Sequence, residues 1–230
     1  METKLLLINL SYIAAAILFV FGIKMLGRAD TARKGNQISS IGMALAIIVT
    51  LLSQGLDYKL VLSGIAVGSV IGFIAAKRVQ MTGMPELVAL FNGFGGLASL
   101  LVGWAEFQRA SYKTLAGIDI ANIETFTAVV IVLAILIGGI TFTGSLYAWG
   151  KLSGKLGGRA LTFGGQKAFN SLLALGIIAC GAIFTLAPTA ELAYPMLIAV
   201  IVLALLLGIF AVMPIGGGDM PVVISLLNSC

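Results

Sequence analysis

The chain has 230 residues, 60% hydrophobic and only 10% charged, with a formal net charge of +5 and a mean hydropathy of +1.11. That balance excludes a soluble domain and points to an all-α, polytopic membrane protein. The positive charge then belongs to cytoplasmic loops before it suggests a nucleic-acid partner. The absence of histidine removes the commonest metal ligand and the usual near-neutral proton carrier.

In chain order, residues 5–23 form the first predicted span, followed by a loop with Lys24, Arg28, Arg33 and Lys34. The opening ten residues do not read as a signal peptide, because the apolar run is too long and lacks a clear cleavage site. Residues 38–53 form the second span, and Asp57 and Lys59 mark a tight loop after it. Residues 60–76 form the third and carry Gly64, Gly68 and Gly72, a repeated GxxxG ridge that reads as a helix-packing face. Lys77 and Arg78 end it.

The fourth span, residues 84–105, is the stretch around which the rest is expected to be arranged. Pro85 suits a first helical turn and Glu86 favours its positive end. Asn92, Gly96, Ser99 and Gly103 then fall on one face of an otherwise apolar helix. A polar loop follows from residue 106 to 124, with room for a short surface helix.

Residues 126–149 form the fifth span, with Gly138, Thr141 and Ser145 close to one face. A hydroxyl in such a helix usually bonds back to its own carbonyls, so a polar path is the less common role for Ser145 taken alone. A basic, glycine-containing loop runs from 151 to 167. Residues 168–187 and 195–212 form the sixth and seventh spans. Pro214, Gly216, Gly217, Gly218 and Pro221 punctuate the turn that follows. Residues 221–230 begin an eighth helix of about 15 Å, half a bilayer, so the native chain is expected to continue. Cys180 and Cys230, the two cysteines, define no disulfide framework or thiolate metal site.

The fourth and eighth segments echo each other. Met84-Pro85, Leu90 and Asn92 recur at the same spacing as Met220-Pro221, Leu226 and Asn228. Each asparagine lies about 12 Å along its helix, well inside a hydrocarbon core about 30 Å thick. With eight spans the loops alternate sides. Lys24, Arg28, Arg33, Lys34, Lys77, Arg78, Lys151, Lys155, Arg159 and Lys167 fall on one side; Lys4, Lys59, Arg109 and Lys113 fall on the other. The first side is expected to be cytoplasmic, which puts the N-terminus outside and makes the two Met-Pro helices parallel.

There is no P-loop, and no dinucleotide-binding glycine fingerprint follows a strand. Chemistry must therefore sit inside the membrane. Glu86 is the carboxylate closely tied to the fourth helix, and an ionisable group at membrane depth reads as functional unless it simply reaches water. Asp219 reads either as a helix cap ahead of Pro221 or as a cytoplasmic gate. Asn228 has Ser225 on its face. Asn92 and Asn228 can orient water, but neither titrates near neutral pH. A proton path through these groups needs water, and a titratable side chain from elsewhere.

Two stretches, residues 81–96 and 216–229, resemble the membrane domain of the beta subunit of proton-translocating NAD(P) transhydrogenase. Thr141, Thr143, Gly144 and Ser145, with the following Gly150-Lys151, fit that family as well. The resemblance covers essentially the whole chain, which would be one transmembrane proton-translocation domain over 1–230. It implies nine spans and then a cytoplasmic NADP(H)-binding domain. It further implies an oxidoreductase complex that couples hydride transfer between NADH and NADP⁺, carried out in soluble domains, to proton movement. No cofactor is expected in this chain itself. The family's functional positions would map to Glu86, Asn92, Ser145, Asp219 and Asn228. Many members carry histidine where this chain has Asn92. The resemblance is then to a second type, in which a membrane helix of the alpha subunit supplies the histidine. An NAD(H)-binding domain, a homodimer of the full complex and the bacterial cytoplasmic membrane are the remaining implied partners and setting. Two rival readings stay open at this point: a secondary transporter of a small solute, and a passive membrane anchor for a soluble enzyme.

Overall fold

The structure, a computed structural model, describes residues 2–53, 58–115, 124–186 and 190–229. Among them the chain forms eight helices and no strands: α1 (Glu2–Leu26), α2 (Ala32–Ser53), α3 (Tyr58–Arg78), α4 (Met84–Leu115), α5 (Thr125–Leu152), α6 (Gln166–Leu186), α7 (Ala190–Val212) and α8 (Met220–Ser229). The first seven are long and apolar enough to cross a membrane. The predicted loop at 54–57, most of the loop at 116–123, the end of the sixth span at Ala187, and Cys230 lie outside the described residues.

The chain divides into two compact units, residues 1–73 and 74–230. In the first, α1 and α2 form a hairpin. A Cβ on Gly35 would lie 2.7 Å from the Gly22 carbonyl, and one on Gly42 3.1 Å from that of Ala15. Backbones that close gain van der Waals contact, which is what holds helices together where water provides no drive. The Tyr12 hydroxyl meets Thr50 Oγ1 at 2.9 Å across the same pair. A Cβ on the α3 glycines Gly64, Gly68 or Gly72, read from sequence as a packing face, would meet nothing within 4 Å among the described residues.

In the second unit the centre is α5, which packs against α4, α6, α7 and α8. The sequence pointed to α4 for that place. The reason for the difference is the small-residue stripe of α5: Gly138, Gly139, Thr141, Gly144, Ser145 and Ala148 are all buried, so several neighbours approach its axis. A Cβ on Gly138 would meet Gly96 O and Leu100 N at 2.6 Å. Against α7, Thr143 Oγ1 donates to Leu205 O at 2.8 Å as well as to Gly139 O of its own helix at 3.1 Å.

Two boundaries also differ from the sequence reading. Helix α4 continues well past residue 105, because its polar extension still buries an aromatic corner. Phe107 is 2% exposed, with its ring 5.8 Å from that of Phe184, and Trp104 packs edge-on to Tyr194 at 5.8 Å. Helix α7 starts at Ala190 and includes Pro195, whereas the apolar run alone starts the span at that proline. A proline there sacrifices one backbone bond near the helix start, a loss that membrane helices tolerate.

Candidate functional site

The echo between the fourth and eighth segments extends to the backbone. A 3-10 turn, Met81–Gly83, leads into α4, and another, Gly217–Asp219, leads into α8. The residues before them, Gln80 and Gly216, are extended at φ −80°, ψ 157° and φ −69°, ψ 156°. Met84 and Met220 then enter the helix at φ −57°, ψ −42° and φ −58°, ψ −37°. Proline follows each methionine, where the missing N–H costs nothing and the fixed φ suits the helix.

The two helices lie side by side and parallel. Met84, Pro85 and Val88 face Pro221 and Ile224 across a small groove of about 290 Å³. Beyond it lies an open groove of about 530 Å³, lined by Phe91, Asn92 and Gly95 of α4 and by Ile224, Ser225 and Asn228 of α8. The matched asparagines therefore line one groove, one from each wall.

Asn92 is half-buried, and its Nδ2 donates to Ser145 Oγ at 2.9 Å. Ser145 is fully buried behind it on α5. The pair meets because α4 has glycine where it crosses α5. A Cβ on Gly93 would sit 3.4 Å from Ser145 Cβ, and one on Gly96 2.7 Å from Phe142 N. Ser145 is thus engaged across the helix pair. Asn228 and Ser225 are exposed along the open side of the groove. Helix α8 is also pinned to α5 from behind, by Thr141 Oγ1 donating to Leu227 O at 3.4 Å.

Glu86 is half-buried in the first turn of α4, and Asp219 is exposed immediately ahead of α8. Neither side chain lines these two grooves. The structure so joins Asn92 to Ser145, sets Asn228 across the groove, and leaves both carboxylates at the shared N-terminal end of the two helices. Among the described residues no cluster of three histidine, cysteine, aspartate or glutamate side chains forms a metal site.

Two residues emerge that were not singled out as site residues from sequence. Thr141 lies one turn from Ser145 and reaches α8. Lys151, read as a loop cation, is 3% exposed and donates to Met213 O at 2.7 Å and Ile215 O at 2.6 Å. Amides and hydroxyls in this arrangement can donate to and accept from a short file of water. None of them can carry the proton itself as a titrating group.

Comparison with known proteins places the chain in a family. The family model described as NAD(P) transhydrogenase beta subunit matches residues 8–230. A Rhodospirillum rubrum protein named NAD(P) transhydrogenase subunit beta is 39% identical over 221 residues, covering 95% of this chain and 46% of that protein. A second sequence from a strain of that organism, with the same name, matches equally. The chain spans about half the length of the curated relatives it matches.

Proposed function

The chain belongs to the NAD(P) transhydrogenase beta subunit family, and from that premise we propose that it forms the membrane path by which such an enzyme moves protons. It is a multi-pass membrane protein. The observation that carries the proposal is the groove between α4 and α8, with Asn92 on one wall, Asn228 on the other, and Ser145 bonded behind Asn92.

In this reading water in the groove links the amides. The groove is open on one side, and a membrane helix of the alpha subunit closes it and brings the histidine that this chain lacks. That histidine takes up and releases the proton, while Asn92 and Asn228 orient the water on either side of it. Glu86 and Asp219 lie at the N-terminal ends of α4 and α8, the end assigned to the cytoplasm, and shape the electrostatics of entry there. A following NADP(H)-binding domain biases which side the path opens to. Such bias requires that NADP(H) bind the two states with different affinity. Hydride transfer between NADH and NADP⁺ belongs to the soluble domains, and no cofactor is held within residues 1–230. The complete complex works as a homodimer in the bacterial cytoplasmic membrane, with this chain's N-terminus outside.

Inverted membrane vesicles carrying the complete complex test this reading. Proton uptake or release is expected to accompany hydride transfer, to need the alpha subunit, and to depend on NADP(H). Solute-driven proton flux without nucleotide would favour a secondary transporter. Hydride transfer with no proton movement would reduce the domain to an anchor.

A further inference from the structure

Lysine at the end of a membrane span ordinarily extends its stem to reach water. Lys151 does the opposite. Its side chain turns inward at the end of α5, and two of its three N–H donors hold carbonyls of Met213 and Ile215. Both carbonyls lie in the turn just past the last residue of α7, where the backbone has no helical ladder to pair them. The Tyr147 ring covers the ammonium, its centroid 5.2 Å away.

The segment so held is the turn that delivers Asp219 and α8. It contains Gly216, Gly217 and Gly218 in a row, which give it little stiffness of its own. The α5–α6 loop is laced to the same turn. Leu161 N donates to Met213 O at 3.2 Å, and Gly217 N to Gly158 O at 2.9 Å. A Cβ on Gly217 would lie 3.3 Å from Gly158 Cα. Less than two turns further back, α5 carries Ser145, which holds Asn92. The height of α8 against α5, and with it the offset between Asn228 and Asn92, is held by Lys151 ahead of α8, by Thr141 near its last residues, and between them by the apolar cluster that Met220, Val223 and Ile224 form with Ala89 and Ala148.

We propose that Lys151 is a positioning residue of the proton path: it clamps the α7–α8 turn and the α5–α6 loop to α5, so that displacement of that loop shifts α8 across the groove. The inference rests on the proton-path reading above. Lys151 does not touch the proton; it sets the register of the groups that do.

The test uses the complete complex in vesicles and reads protons moved per hydride transferred, normalised to folded complex. Lys151→Met, which keeps the length and loses the donors, is expected to lower that ratio by about fivefold or more. Lys151→Arg is expected to restore part of it. Gly217→Pro attacks the clamp from the other side. It removes the N–H that binds Gly158, and Gly216 already has the extended backbone that a following proline demands. It is expected to lower the ratio as well. A lysine that merely stabilises the fold would lower complex yield, and both activities in proportion. An unchanged ratio in both Lys151→Met and Gly217→Pro overturns the proposal, and so does failure of both to accumulate. Normal pumping in variants of Asn92 and Asn228 would instead defeat the path reading itself, so the two failures are distinguishable.

Discussion

Gly138→Val keeps the complex from accumulating in the membrane, or leaves a small fraction that melts well below the parent. Even the first carbon of the new side chain would lie 2.6 Å from Gly96 O and from Leu100 N, and 3.1 Å from Leu100 Cα. These are backbone atoms of a long helix and cannot rotate aside. Helices α4 and α5 must separate, and the cost is about 3 kcal/mol or more, at the upper end for overpacking a well-filled site. In lipid the loss is not offset by hydrophobic collapse, because helix contact there depends on packing itself. The separation also pulls Asn92 from Ser145, since Gly96 lies one turn from Asn92. Gly164→Ala, at a loop position with nothing within 4 Å, is the matched control and is expected to accumulate normally. Membrane yield and thermal unfolding of the solubilised complex read both variants.

The second large effect is on transport with the fold intact. Asn92→Leu and Asn228→Leu each exchange an amide for an apolar group of the same branched shape on one wall of the same groove. Leucine at 92 also leaves the Ser145 hydroxyl buried without the donor that it accepts from. In the proposed path, water bridging the walls loses a partner at either position. Leaving such a group unsatisfied costs about 1–3 kcal/mol, which lowers the population of a continuous file by about fivefold at the low end and about 150-fold at the high end. Coupled pumping is expected to fall by that factor in each variant, while the amount of folded complex stays close to the parent's. Asn228 is exposed on the open side, so its substitution carries the smaller packing risk. Undiminished pumping in both variants removes the amides from the path.

Much of this arrangement was legible in the residues. The repeated Met-Pro and asparagine spacing foretold two matched helices, and the structure sets them parallel with their N-terminal ends together. Spacing put Gly96 and Gly138 each on a small-residue face without naming a partner, and they meet each other; the more regular GxxxG ridge of α3, read as a packing face, has nothing within 4 Å of an added Cβ among the described residues. What hydropathy could not show was where α4 ends. Apolar runs measure the thickness of the bilayer, whereas Phe107 extends the helix by burying itself among aromatic neighbours. Lys151 was unreadable for a related reason. A cation after a span looks like an orientation signal, and only the path of the α7–α8 turn shows that its charge is spent on carbonyls. Thr141 and Ser145 share a face by spacing alone, but their partners, Leu227 O and Asn92, come from distant segments.

The central claim is that the groove between α4 and α8 holds water whose access is controlled. It is tested most directly by Asn228→Cys in the complete complex, with the native cysteines replaced by serine. A water-soluble, charged maleimide reacts with the thiolate and therefore needs an aqueous environment at that position. The account predicts modification in the assembled complex, at a rate that changes between the NADP⁺-bound and NADPH-bound states. A thiol that stays unmodified in both states, in complex that is folded and correctly assembled, would mean that Asn228 faces lipid or dry protein, and would contradict it.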